Sequence, residues 1–112
     1  MVPNAIRWLA DIEAIEKQPY DAVVEPRHML DLFRLSAERH GNRTALIYLP
    51  TPDPDGPAVH YSYRDLLDSI RRAANLFRAA GIAEDEAVAI LLPNIPDAHF
   101  ALWGAEIAAR AC

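Results

Sequence analysis

Four histidines, one cysteine, a few serines and several acidic clusters are the residues of this chain that could do chemistry. A metal site needs ligands that converge, most simply at helix spacing. His28, His40, His60 and His99 are far apart, and none has a His or Cys partner one helical turn away. Nucleophilic catalysis needs a Ser or Cys beside an activating base. Ser36 and Ser69 fall inside helical patterns without a Gly-x-Ser-x-Gly elbow, and Cys112 has no neighbouring His. Paired carboxylates can do acid–base work. Glu84-Asp-Glu86, however, reads more simply as a solvated turn, and Asp53 and Asp55 as turn formers. Phosphate cradles need glycines that let backbone N–H groups approach the ligand. Gly41, Gly56, Gly81 and Gly104 are each more than ten residues from the next, so neither a P-loop nor a dinucleotide fingerprint fits. Gly41 and Gly81 read as helix stops, Gly56 as a turn and Gly104 as a close-packing position. Catalytic, cofactor-binding and metal-binding residues are each read as none.

Composition narrows the classes further. The 112 residues fit one small domain or part of a larger one. Apolar residues make up 52%, enough to argue against disorder. The formal charge of −5 opposes a nucleic-acid surface, which needs clustered cations. Ten Arg and the single Lys17 are interleaved with acids, so no polybasic membrane anchor is expected. The longest strictly apolar run, residues 87–92, is far shorter than the ~20 residues of a transmembrane helix. Asp11, Glu13 and Glu16 interrupt the apolar start, unlike a secretory signal. A lone cysteine makes no internal disulfide and fits a reducing, cytoplasmic setting.

The elements follow from periodicity. Asn4 can cap a helix over 5–16, with Ile6, Leu9, Ile12 and Ile15 along one side. Residues 17–27, with Pro19 and Pro26, read as an extended connector. A helix over 28–40 presents Met29, Leu32, Phe33 and Ser36-Ala37 on one face, with Gly41 as a left-handed stop. A strand over 44–49, the proline-rich loop 50–57 and a returning strand over 58–61 make a hairpin. Ser62 and Asp65 form a weaker relative of the capping box. The next helix carries Leu66, Leu67, Ile70, Ala73, Ala74 and Phe77 on one face, can pair Asp68 with Arg72, and stops at Gly81. Residues 87–92 show no polar alternation, as in a strand covered on both faces in a parallel sheet. A last helix over 97–109 carries Phe100, Leu102, Trp103 and Ile107. Trp8 and Trp103, on amphipathic helices, are read as core or subunit contacts.

A buried strand followed by a helix is the start of a βαβ unit, whose second strand should return beside the first. The sequence reaches Ala111-Cys112 without that strand. The expectation is that the neighbour of 87–92 lies beyond residue 112, and that without it 87–92 exposes an apolar edge.

In this order, the pieces resemble the N-terminal part of AMP-forming acyl-CoA synthetases, of the adenylate-forming superfamily. His28-Met-Leu-Asp-Leu-Phe33 with Asn42-Arg-Thr-Ala-Leu46 resembles the opening helix and first strand. Tyr61-Ser-Tyr-Arg-Asp-Leu66 resembles T-Y-x-E-L, and Ala73 to Ile82 resembles A-x-x-L-x-x-x-G-V. Val88-Ala-Ile-Leu-Leu-Pro-Asn-Ile-Pro96 resembles V-A-I-L-L-P-N-S-P, and Gly104-Ala-Glu-Ile-Ala108 resembles G-A-x-x-A. The resemblance covers about 28–112 and treats 1–27 as a leader helix and connector. Asp85 stands where the family has a turn glycine, so the approach to 87–92 is expected to be strained or rebuilt. Ala109 stands where a helix-ending glycine is common.

The resemblance implies an α/β fold: the N-terminal portion of the family's large domain. Its parts would be a β-hairpin, amphipathic helices and the start of a parallel βαβ sheet, incomplete at the C-terminus. It implies that the parent joins a carboxylate to coenzyme A with ATP, releasing AMP and pyrophosphate, with Mg assisting. The glycine-rich adenylation signature and the later aspartate, arginine and lysine of the family match nothing here, and Lys17 is not that lysine. The chain is therefore expected to bind no cofactor, to be inactive alone, and to have the remainder of the parent enzyme as partner. Two other readings stay open. One is a stand-alone non-catalytic domain binding through its sheet edge. The other is a piece of a different adenylate former, such as an aryl-CoA ligase or a peptide synthetase adenylation domain.

Overall fold

The computed structural model describes residues 5–110 of the chain. Five helices and one hairpin follow in the order α1 (Leu9–Glu16), α2 (Tyr20–Val23), α3 (Met29–His40), β1 (Thr44–Tyr48), β2 (Val59–Ser62), α4 (Tyr63–Ala79) and α5 (Pro96–Arg110). This is the mixed α/β content expected, with a hairpin and amphipathic helices.

The hairpin is antiparallel. Ile47 faces His60 and Tyr48 faces Val59, and the register shifts between Thr44 and Leu46, which leaves Ala45 as the extra residue of a bulge. Its second strand runs straight into α4. Ser62 Oγ accepts the Asp65 backbone N–H at 3.1 Å, and Asp65 Oδ2 accepts the Ser62 N–H at 2.8 Å and its hydroxyl at 2.7 Å. Aspartate thus completes the capping box that glutamate usually makes. At the other end Gly81 has φ +81°, and the Ile82 and Gly81 N–H groups donate to Phe77 and Arg78 carbonyls. That is a Schellman stop, as read from the sequence.

The core lies where α4 crosses α5. Ile70 is fully buried, and Ala74, Ile107 and Ala108 surround it. Leu30, Phe33, Leu66, Phe77, Phe100 and Trp103 close the cluster. Phe33 and Trp103 meet edge-to-face at 5.6 Å between ring centroids, and Tyr61 and Phe100 at 5.5 Å. Gly104 is the close-packing position: a Cβ there would lie 2.5 Å from the Ala73 Cβ and 2.9 Å from the Ala74 nitrogen.

Several local expectations are corrected. Asn4 lies outside the described residues. The first helix begins at Leu9, not at 5, because Asp11 Oδ2 accepts the N–H groups of Arg7 (2.9 Å) and Trp8 (3.0 Å) and closes the N-terminus there. Its apolar side is mostly uncovered: Ile6, Leu9 and Ile12 are exposed, only Ile15 is half-buried, and Trp8, read as a core or contact residue, is 75% exposed. The connector 17–27 contains the single turn α2, started after Pro19 by Ala22 and Val24 N–H bonds to Pro19 and Tyr20. Gly41 is not left-handed (φ −30°). It is needed instead for close approach, since a Cβ would meet Arg64 Nε at 2.6 Å and the Ala37 carbonyl at 2.8 Å. Asp68 and Arg72 form no ion pair among the described residues, whose pairs are Arg27–Asp21, Arg34–Asp31 and Arg39–Glu25. Asp85 brings no strain, because no described residue other than glycine has positive φ. The turn is instead closed by the Ala83 N–H on Glu86 Oε2 at 2.7 Å and the Glu86 N–H on the Ala83 carbonyl at 3.1 Å. At Ala109 the helix simply continues to Arg110.

The main difference concerns residues 87–92, expected as a covered strand. Among the described residues they join no sheet; the one sheet is the β1–β2 hairpin. Leu91 is 98% exposed, and Ile90 and Leu92 are also exposed. An apolar sequence cannot make a strand without a neighbour to take its N–H and C=O groups. The shape agrees. The radius of gyration is 17.4 Å, against about 13 Å for a compact domain of about 100 residues.

Candidate functional site

The structure keeps the chemistry-bearing side chains apart. His28 is the N-cap residue of α3, its carbonyl accepting the Leu32 N–H at 3.1 Å. His40, at the end of α3, tilts against the Tyr63 ring at 5.6 Å. His60 Nδ1 lies 3.4 Å from Thr44 Oγ1 across the hairpin. His99 lies on α5 beside β1, in a groove of about 330 Å³ with Tyr48, Asn94 and Pro96. Among the described residues no three His, Cys, Asp or Glu side chains converge as metal ligands would. Cys112 lies outside the described residues.

Two further grooves hold the serines. Ser36 borders a groove of about 760 Å³ between residues 21–27 and α3, whose rim is tied by Arg27–Asp21 (2.9 Å) and Arg39–Glu25 (3.3 Å). Those guanidinium groups are engaged by carboxylates and stand in water, so they form an exposed ion-pair rim rather than an anion clamp. Ser69 borders a groove of about 430 Å³ between α4 and α5 with Arg72, Phe77, Leu92 and Phe100. His40, one turn along α3, borders the same groove as Ser36, but among the described residues no hydrogen bond joins either hydroxyl to a base. Asp53 acts as expected in its loop, its Oδ1 accepting the Asp55 N–H at 3.0 Å.

The shifted carboxylates are both helix caps. Hydrogen bonds from the Ser62 hydroxyl and then the Ser62 N–H hold Asp65 below the ordinary aspartate range. The N–H groups of Arg7 and then Trp8 do the same for Asp11. The Asp11 cap was not read from the sequence, because Trp8 is not one of the small polar residues that mark a helix start.

The four glycines do not gather into a phosphate cradle. Gly41 and Gly104 are buried against side chains and backbone, Gly81 ends a helix, and Gly56 lies against Thr51 and Asp53 in the hairpin loop. None lends a free row of backbone N–H groups to a phosphate. What the arrangement does is pack α4 against α5, α3 and the hairpin, while Leu76, Leu91 and Leu102 stay exposed.

The model of the family described as AMP-binding enzyme matches residues 33–109, from the middle of α3 almost to the end of α5. The chain belongs to the AMP-binding enzyme family. Among curated proteins it is 36% identical over 107 residues to a marinolic acid–CoA ligase of Pseudoalteromonas sp. (strain SANK 73390), covering 96% of this chain and 16% of the relative. It is 42% identical over 68 residues to a crotonobetaine/carnitine–CoA ligase of Citrobacter koseri, covering 61% of this chain and 13% of the relative. It is 40% identical over 60 residues to an acetyl-coenzyme A synthetase of Rhodobacter capsulatus, covering 54% of this chain and 9% of the relative. No solved structure matches. The chain thus spans about one-sixth or less of these relatives, and the similarity to the Pseudoalteromonas ligase takes in most of residues 1–27 as well as the region that the family model matches. No helix among the described residues is long and apolar enough to cross a membrane.

Proposed function

We propose that this chain serves as the N-terminal scaffold of an ATP-dependent, AMP-forming acyl-CoA synthetase. The supporting observation is the family match over residues 33–109, together with relatives that are CoA ligases. In the proposed reaction a carboxylate oxygen attacks the α-phosphorus of ATP and pyrophosphate leaves. The coenzyme A thiol then attacks the acyl carbon of the adenylate, and AMP leaves. No step is assigned to a residue of this chain, and catalytic, cofactor-binding and metal-binding positions are proposed to lie in the remainder of the parent enzyme. Residues 28–112 would be part of its N-terminal domain and 1–27 a leader. The proposed partner is that remainder, which would lie on the exposed 87–92 segment, and the lone cysteine favours a cytoplasmic setting.

Two measurements test this reading. The purified chain, given ATP, labelled pyrophosphate and acetate, crotonobetaine or longer acids, should show no ATP–pyrophosphate exchange. Exchange above a protein-free control would place an adenylation site within residues 1–112. The coding DNA after the Cys112 codon should specify a β-strand and then a glycine-rich phosphate-binding signature. Unrelated sequence there would leave the scaffold without its enzyme.

A further inference from the structure

We draw no further inference here: the strongest candidate, the exposed apolar surface where Leu91 and Leu92 border the groove between α4 and α5, carries nothing beyond the proposed function, because nothing in the structure shows what covers it.

Discussion

Gly81 and Gly104 are both glycines for reasons that substitution can separate. Nothing lies within 4 Å of where a Gly81 Cβ would be, so its only demand is the left-handed backbone. Gly81→Ala should therefore cost about 1–2 kcal/mol, the ordinary penalty for an L-residue in that region. At Gly104 the backbone is helical and the demand is space beside Ala73 and Ala74. Gly104→Val should cost about 1–3 kcal/mol by forcing α4 and α5 apart. Urea unfolding followed by far-ultraviolet circular dichroism reads both, and a neutral Gly81→Ala would contradict the positive φ. Asp65 makes a pH-dependent prediction. Its folded pKa is lowered by Ser62, so its contribution is fully present above the ordinary aspartate pKa of about 3.9 and fades as pH falls through the lowered value. The melting-temperature gap between the native chain and Asp65→Asn should be flat above about pH 5 and narrow in more acidic buffer. A gap that stayed constant down to pH 2 would remove the carboxylate from the cap.

At the scale of elements, the amphipathic helices divide into those that found a partner and those that did not. The face of α4 is used: Ile70 and Ala74 are buried with Ile107 and Ala108 of α5, and Leu67 is buried as well. The side of α1 with the same apolar character is exposed, with Leu9 at 70%. Ile70→Ala should cost about 2–5 kcal/mol, the usual range for emptying a buried aliphatic site. Leu9→Ala should stay within about 0.5 kcal/mol, since most of its side chain already faces water. Comparable losses from the two substitutions would mean that α1 packs in solution as it does not here. Apolar spacing made both helices legible, but spacing reports only that a face wants cover.

On the scale of the whole molecule, the expanded radius and the largely exposed 87–92 segment belong together. Among the described residues the one sheet is a two-stranded hairpin, so residues 87–92 have no strand to pair with. An exposed run of this kind invites association with other chains. Leu91→Lys should lower concentration-dependent light scattering while leaving the unfolding midpoint within about 0.5 kcal/mol of the native chain, because the side chain it replaces is exposed. Scattering that did not change would point away from this segment as the adhesive surface.

By itself, the sequence determined the local elements: the Ser62–Asp65 cap, the Gly81 stop, the hairpin around the proline-rich loop and the apolar face of α4. Each depends on residues within a few positions of one another, so no distant contact was needed to read it. The ordered pieces around Leu-Leu-Pro-Asn also carried the family. Only the tertiary structure decided that Gly41 is small because Arg64 and the Ala37 carbonyl crowd it rather than for a left-handed backbone, that Trp8 faces water, and that residues 87–92 form no strand. Those outcomes depend on what lies across from a residue, and a β-strand above all exists only when a second chain segment accepts its hydrogen bonds.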